Sequence, residues 1–168
     1  VQFQKHRYFG DPINAVKIFG DNLVFLQGME ILGAKNETRK SIDTLRKWNN
    51  QSGINSIQIF AEIPVVGSKL AERKSIFPLA ETDTNLMDGQ HVLSLPPDGF
   101  TCFGLQQEII DAYRDFYSLR NIKNSLKPLR RFFKHPERSL KLTLMNIMVR
   151  AYARNLLSSM TESEYTKA

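Results

Sequence analysis

The sequence predicts an α+β domain: a small, mainly antiparallel sheet with one inserted helix, packed by two to three C-terminal helices. Short β-prone runs punctuated by glycine and proline fill the N-terminal half, and from Leu105 onward the apolar spacing changes to a helical period. The composition is that of an ordinary globular chain, with 42% hydrophobic and 24% charged residues among 168. That length is enough to bury one core, so residues 1–160 are expected to form a single domain and 161–168 a frayed tail.

The first element expected is a hairpin. Ala15 to Phe19 and Leu23 to Leu26 are β-prone, and Gly20-Asp21-Asn22 between them suits a tight turn. Met29 to Leu32 extends the second strand or forms a third. Asn36 to Asn50 reads as a short helix, with Ile42 and Leu45 on one face near Trp48. Asn36 or Thr38 can cap its start, and Gly53 stops it.

Ile54 to Val66 reads as a half-buried strand, because Ile57, Ile59, Ala61 and Ile63 alternate with Ser56, Gln58, Phe60 and Glu62. Glu72 to Leu79 and Gln90 to Leu95 are further strand candidates, the latter closed by the turn Leu95-Pro96-Pro97-Asp98-Gly99. Leu105, Ile109, Ala112, Tyr113, Phe116 and Tyr117 then form the apolar stripe of a helix. Ser125 to Lys134 makes a short helix, and Pro136 suits the first position of the last, Pro136 to Ser158. That helix is apolar around most of its circumference, with a narrow polar strip at Thr143, Asn146, Arg150 and Arg154. It is expected to be buried, in this domain or against a partner.

Charge is distributed unevenly. Between Arg114 and Arg154 eleven basic residues face only Asp115 and Glu137, a net of +9 in a chain whose total is +6, so the remainder carries −3. Such a segment attracts polyanions, because each Lys or Arg set on a phosphate releases condensed counterions. The expected contacts are Arg120, Lys123, Lys127, Arg130, Arg131, Lys134, Arg138 and Lys141. Aromatic and basic side chains interleave at Leu129 to Lys134, which suits base stacking beside phosphate contacts; helical spacing equally suits packing of Leu129, Phe132 and Phe133 on the body of the protein.

Catalytic signals are sparse. No triad motif occurs among His6, His91, His135 and Cys102; Cys102 reads as a small core residue and His135 as a capping or surface residue. The acidic group Glu81, Asp83, Asp88 and His91 matches no calcium loop, and Gly28 to Gly33 followed by Ala34-Lys35 puts the lysine out of register for a phosphate loop. A metal-dependent nuclease built on Asp98, Glu108 and Lys123 lacks carboxylates on one rigid element. No metal or cofactor is therefore expected. A lone cysteine favours a reducing, intracellular compartment, and the two sequons, at Asn36 and Asn50, read as ordinary surface. A chain starting at Val1 is expected to be processed, trimmed or partial, leaving any upstream targeting segment unseen.

The function expected is that of a non-catalytic binding or structural protein holding RNA, rather than DNA, or another polyanion within a larger assembly. An acidic protein surface or an anionic membrane face fits the same charge. The alternatives are a protein-interaction module of viral, organellar or secretory type, docking through Leu144, Ile147, Met148 and Tyr152 of the last helix, and the nuclease above.

Overall fold

The computed structural model describes residues 12–64, 67–70, 72 and 88–162. In these the chain is α+β and mostly helical: α1 (Pro12–Asp21), β1 (Gln27–Leu32), α2 (Arg39–Ser52), β2 (Ser56–Ala61), α3 (Cys102–Phe116), α4 (Ile122–Leu126) and α5 (Pro136–Glu162). Two 3-10 turns, Leu119–Asn121 and Lys127–Arg131, flank α4.

The expected hairpin is a helix instead. Pro12 takes the first position of α1, where its missing N–H costs nothing, and Gly20-Asp21-Asn22 ends this helix rather than turning a strand. Asn22 N donates to the Ile18 carbonyl at 3.2 Å and Val24 N to that of Phe19 at 3.0 Å. Leu23 closes the end at φ 57°, a left-handed conformation disfavoured for a residue with a Cβ.

Helix α2 forms as its signals predict. The Thr38 hydroxyl accepts from Ser41 N at 3.1 Å while Ser41 Oγ accepts from Thr38 N at 3.0 Å, and Gly53 stops the helix at φ 90°. Ile42 is fully buried against α3 and the sheet.

The sheet corrects the expected topology. Strands β1 and β2 pair in parallel, Gln27 opposite Ser56 through Leu32 opposite Ala61. A helix between two paired strands carries the chain back to the end where it started, so the second strand must run in the direction of the first. On β2, shorter than expected at Ser56–Ala61, Ile57, Ile59 and Ala61 are buried and Gln58 and Phe60 half-buried as the alternation predicts, but Ser56 is buried too and Ile63, expected on the buried side, is half-buried past the strand's end. Glu72 to Leu79 lies outside the described residues apart from Glu72.

Gln90 to Leu95 carries a single β-bridge, at Ser94, and is otherwise irregular rather than a strand. The buried Gln106 amide on α3 holds it, accepting from Val92 N at 2.9 Å and donating to the Gln90 carbonyl at 3.0 Å, while Ser94 Oγ donates to the Glu62 carbonyl. A side chain thus takes the hydrogen bonds a ladder would have made.

Helix α3 also closes the second edge of β2. Tyr117 Oη accepts from Ile57 N at 3.0 Å and donates to the Ile57 carbonyl at 2.9 Å; Tyr113 Oη accepts from Ile59 N at 2.8 Å and donates to the Ile59 carbonyl. One helical turn of four residues rises ~6 Å and two strand residues rise ~6.6 Å, so hydroxyls four apart on α3 meet alternate residues of β2. Ala61 N continues the row to the Gly89 carbonyl at 2.7 Å. Gly89 sits at φ 79°, and an added Cβ there would come within 2.7 Å of the Phe60 ring. Leaving one of these buried N–H groups unpaired would cost ~1–3 kcal/mol. Burial also pushes the Tyr117 hydroxyl up to about 12, so it stays protonated and able to donate.

Helix α5 is the 27-residue spine of the C-terminal half. It begins at Pro136 as expected. The short helix expected over Ser125 to Lys134 is broken instead into α4 and a 3-10 turn, with Pro128 buried within the turn. No helix among the described residues is long and apolar enough to cross a membrane.

Candidate polyanion groove and the exposed face of the last helix

The orientation of α5 sets both surfaces. Ser139, Thr143, Asn146 and Arg150, three to four residues apart along one face, are buried. While Thr143 Oγ1 donates to the Ser139 carbonyl of its own helix at 2.8 Å, Asn146 and Arg150 turn to the 118–126 segment, whose carbonyls need donors. Arg150 supplies three: its guanidinium donates to the Ser118 carbonyl at 3.2 Å, to the Asn121 carbonyl at 2.8 Å and to Ser125 Oγ. Asn146 Nδ2 reaches the Ser125 carbonyl at 3.3 Å. Arg150 also lies over the Tyr117 ring at 5.9 Å. Its pKa is lowered by burial, against a smaller opposing effect of Tyr117.

Pinned in this way, α4 and the following turn present Lys123, Lys127 and Arg130 outward at a helical spacing of four and then three residues. They line two adjoining clefts. One, of about 330 Å³, runs between this segment and the end of α1, where Lys17, Asp21 and Leu23 form the opposite wall and Ser52, Gly53 and Asn55 lie between. The second, of about 390 Å³, continues it past Asn50 and Asn121 and shares Asn124, Lys127 and Arg130 with the first. Five cations, Lys17, Lys123, Lys127, Arg130 and Arg131, and several side-chain amides thus border one groove made of the two adjoining clefts.

Arg131 serves the groove differently from its neighbours. Its guanidinium clamps the end of α1, donating to the Gly20 carbonyl at 3.0 Å, to the Asp21 carbonyl and to the Asp21 carboxylate. That hydrogen bond holds Asp21 below the usual carboxylate range. Asp21 is the one acid among the groove-lining residues, and its charge is spent on Arg131.

The other expected contacts are scattered. Arg120, Lys134, Arg138 and Lys141 are exposed but line neither cleft, and Lys141 pairs with Glu137. Lys17 is the groove-lining cation that no local signal marks: its run reads as a strand, and a tertiary contact alone brings α1 to the basic segment. The side-chain amides were missed for the same reason.

The outward face of α5 is not buried within the domain itself, which leaves burial against a partner as the other expectation for this helix. Leu140, Leu144, Met145, Ile147, Met148 and Tyr152 are 46–70% exposed, so all four residues expected to meet a partner are exposed. Just before the helix Phe133 is 97% exposed, its ring edge-on to half-exposed Phe132. Packing of Phe133 on the body of the protein is thereby excluded.

The expected catalytic groups sit apart from the groove, save Lys123. Glu108 is held between Arg46 at 3.4 Å and Arg39 at 3.7 Å, bracing α3 against α2. Asp98 is exposed in its turn. Asp88 pairs with His91 Nδ1 at 3.2 Å, while Glu81 and Asp83 lie outside the described residues. Among the described residues no three His, Cys, Asp or Glu side chains converge to hold a metal. Cys102, at the start of α3, is half-buried, and desolvation raises its pKa. His135 is exposed at the entry to α5, where its carbonyl accepts from Ser139 N at 2.9 Å.

Comparison with known protein families, with curated proteins and with solved structures finds no match for the chain.

Proposed function

We propose that this is a non-catalytic binding protein that holds RNA along the groove between α1 and the α4 segment, within a larger assembly. The reading rests on one observation: Lys17, Lys123, Lys127 and Arg130 border a single groove whose one acid is already paired. Four phosphates neutralised together make affinity salt-dependent and largely indifferent to sequence. The Asn124 side-chain amide between the cations favours RNA over DNA, since it can offer a donor and an acceptor to a 2′-hydroxyl, whereas the Asn121 amide is already committed to Asn50 Oδ1 and the Asp115 carbonyl.

The test is binding of a fluorescent single-stranded RNA across a salt series. Each phosphate contact contributes ~0.7 to the slope of log affinity against log salt, so the wild type is expected near ~3. The combined change Lys123→Ala, Lys127→Ala, Arg130→Ala is expected to weaken binding and lower that slope by ~2. Absence of wild-type binding at about 50 mM salt, where electrostatic attraction is strong, would overturn the proposal. So would a triple variant that binds like the wild type.

A further inference from the structure

We infer that the outward face of α5, with Phe133 at its leading end, docks on the surface of an anionic lipid bilayer with the helix lying in the membrane plane. The inference stands apart from the RNA groove and rests on a different surface. Six large apolar side chains along α5 are 46–70% exposed, and Phe133 just ahead of it is 97% exposed. Rotating the helix cannot hide this stripe. The opposite face carries Asn146 and Arg150, whose donors already close the carbonyls of Ser118, Asn121 and Ser125.

Charge selects the occupant. Lys134 stands beside Phe133, Arg138 and Lys141 beside Leu140, and Arg154 beyond Tyr152, all exposed. The acid near them, Glu137, is paired with Lys141. An apolar stripe bounded at both ends by cations matches an anionic headgroup layer above an acyl interior. A second copy of the chain would set cations of like sign along the same contact. The face is also the convex outside of one helix, and Leu144, Ile147 and Met148 line neither groove cleft. Such convex apolar side chains can enter fluid lipid without a pocket, while the anchors of protein interfaces fill one; Tyr152, at the far end of the stripe, borders a cleft of about 160 Å³ with Ala153 and Leu156. A helix of 27 residues extends ~40 Å, long enough to lay the whole stripe on a surface.

The experiment is co-sedimentation with vesicles of phosphatidylcholine alone and of phosphatidylcholine with phosphatidylserine. The wild type is expected to pellet with the serine-containing vesicles and to stay in solution with the neutral ones. Leu144→Glu with Met148→Glu is expected to lower the bound fraction at least ten-fold, while Lys123→Ala, Lys127→Ala, Arg130→Ala leaves it within two-fold. Because acids on the stripe could disturb folding, a Met148→Cys variant carrying an environment-sensitive dye gives a second readout, a blue shift on serine-containing vesicles. Equal binding to both vesicle types, binding to neither, or loss of binding in the groove variant alone would overturn the inference. So would a dimer in sedimentation velocity that the two glutamates dissolve, since a second copy would then own the face.

Discussion

At the scale of single residues, Glu30 is the side chain whose surroundings fit its charge least. It lies on the inward face of β1, and neither carboxylate oxygen closes a hydrogen bond of ordinary geometry. Desolvation raises its pKa above the usual 4.5; the Asn49 amide alongside offsets part of this, and Glu37 nearby adds to the rise. An acid with a raised folded pKa contributes its full stability below its unfolded pKa and loses it as pH rises through the folded value. Glu30→Gln removes that loss and keeps the shape. The variant is expected to melt a few degrees above the wild type at pH 7, with the gain vanishing below about pH 4. Equal gains at both pH values in thermal scans would show that charge is not the cause. Little of this is legible in the sequence, where Glu30 is one residue of the short strand candidate Met29 to Leu32.

Among the elements, α5 turns polar residues inward beside apolar ones: Asn146 and Arg150 are buried along with Leu142 and Ala153, while a second apolar stripe faces out. Its sequence shows a narrow polar strip on an otherwise apolar helix, and the plain reading buries the apolar part. Thr143, Asn146 and Arg150 of the strip are buried while Arg154 is exposed, and α4 with its 3-10 turns leaves carbonyls that Asn146 and Arg150 satisfy. The two faces should therefore respond oppositely to truncation. Arg150→Ala deletes charged donors to three acceptors and is expected to lower stability by ~2–4 kcal/mol, whereas Met148→Ala on the exposed face is expected to change it by less than ~0.5 kcal/mol. Urea unfolding of the two variants checks this, and a larger loss for Met148→Ala would mean that the outward face is packed.

For the whole molecule, the feature that matters is where the positive charge gathers. A net of +9 lies between Arg114 and Arg154, yet Lys123, Lys127 and Arg130 are the only members of that segment to line the groove with a free charge. Lys17 joins them from the far end of the chain, and Arg131 is withdrawn by Asp21. Asp21→Asn removes the groove's one negative charge and releases Arg131 to a phosphate. On the RNA reading this variant is expected to bind several-fold more tightly, with a salt slope steeper by ~0.7. Weaker binding in the same titration would show that the clamp matters more for shaping the groove than for its charge.

Local pattern by itself determined the charge asymmetry, the cap and stop of α2, the alternation along β2, the stripe of α3 and the start of α5, because each depends on residues a few positions apart. It failed where a distant neighbour decides. Val16 and Ile18 lean toward a strand, but Pro12 and the contacts of α1 hold them in a helix. Strand direction follows from the helix that joins β1 to β2, and among the described residues two tyrosine hydroxyls sixty and fifty-four residues away, not another strand, cover the outer edge of β2. Which face of α5 turns inward, and which lysines share a groove, were settled only in the tertiary structure. The physical reason is common to both: hydrophobic periodicity reports the faces an element has, while the unsatisfied polar groups and charges of its neighbours choose which face is used.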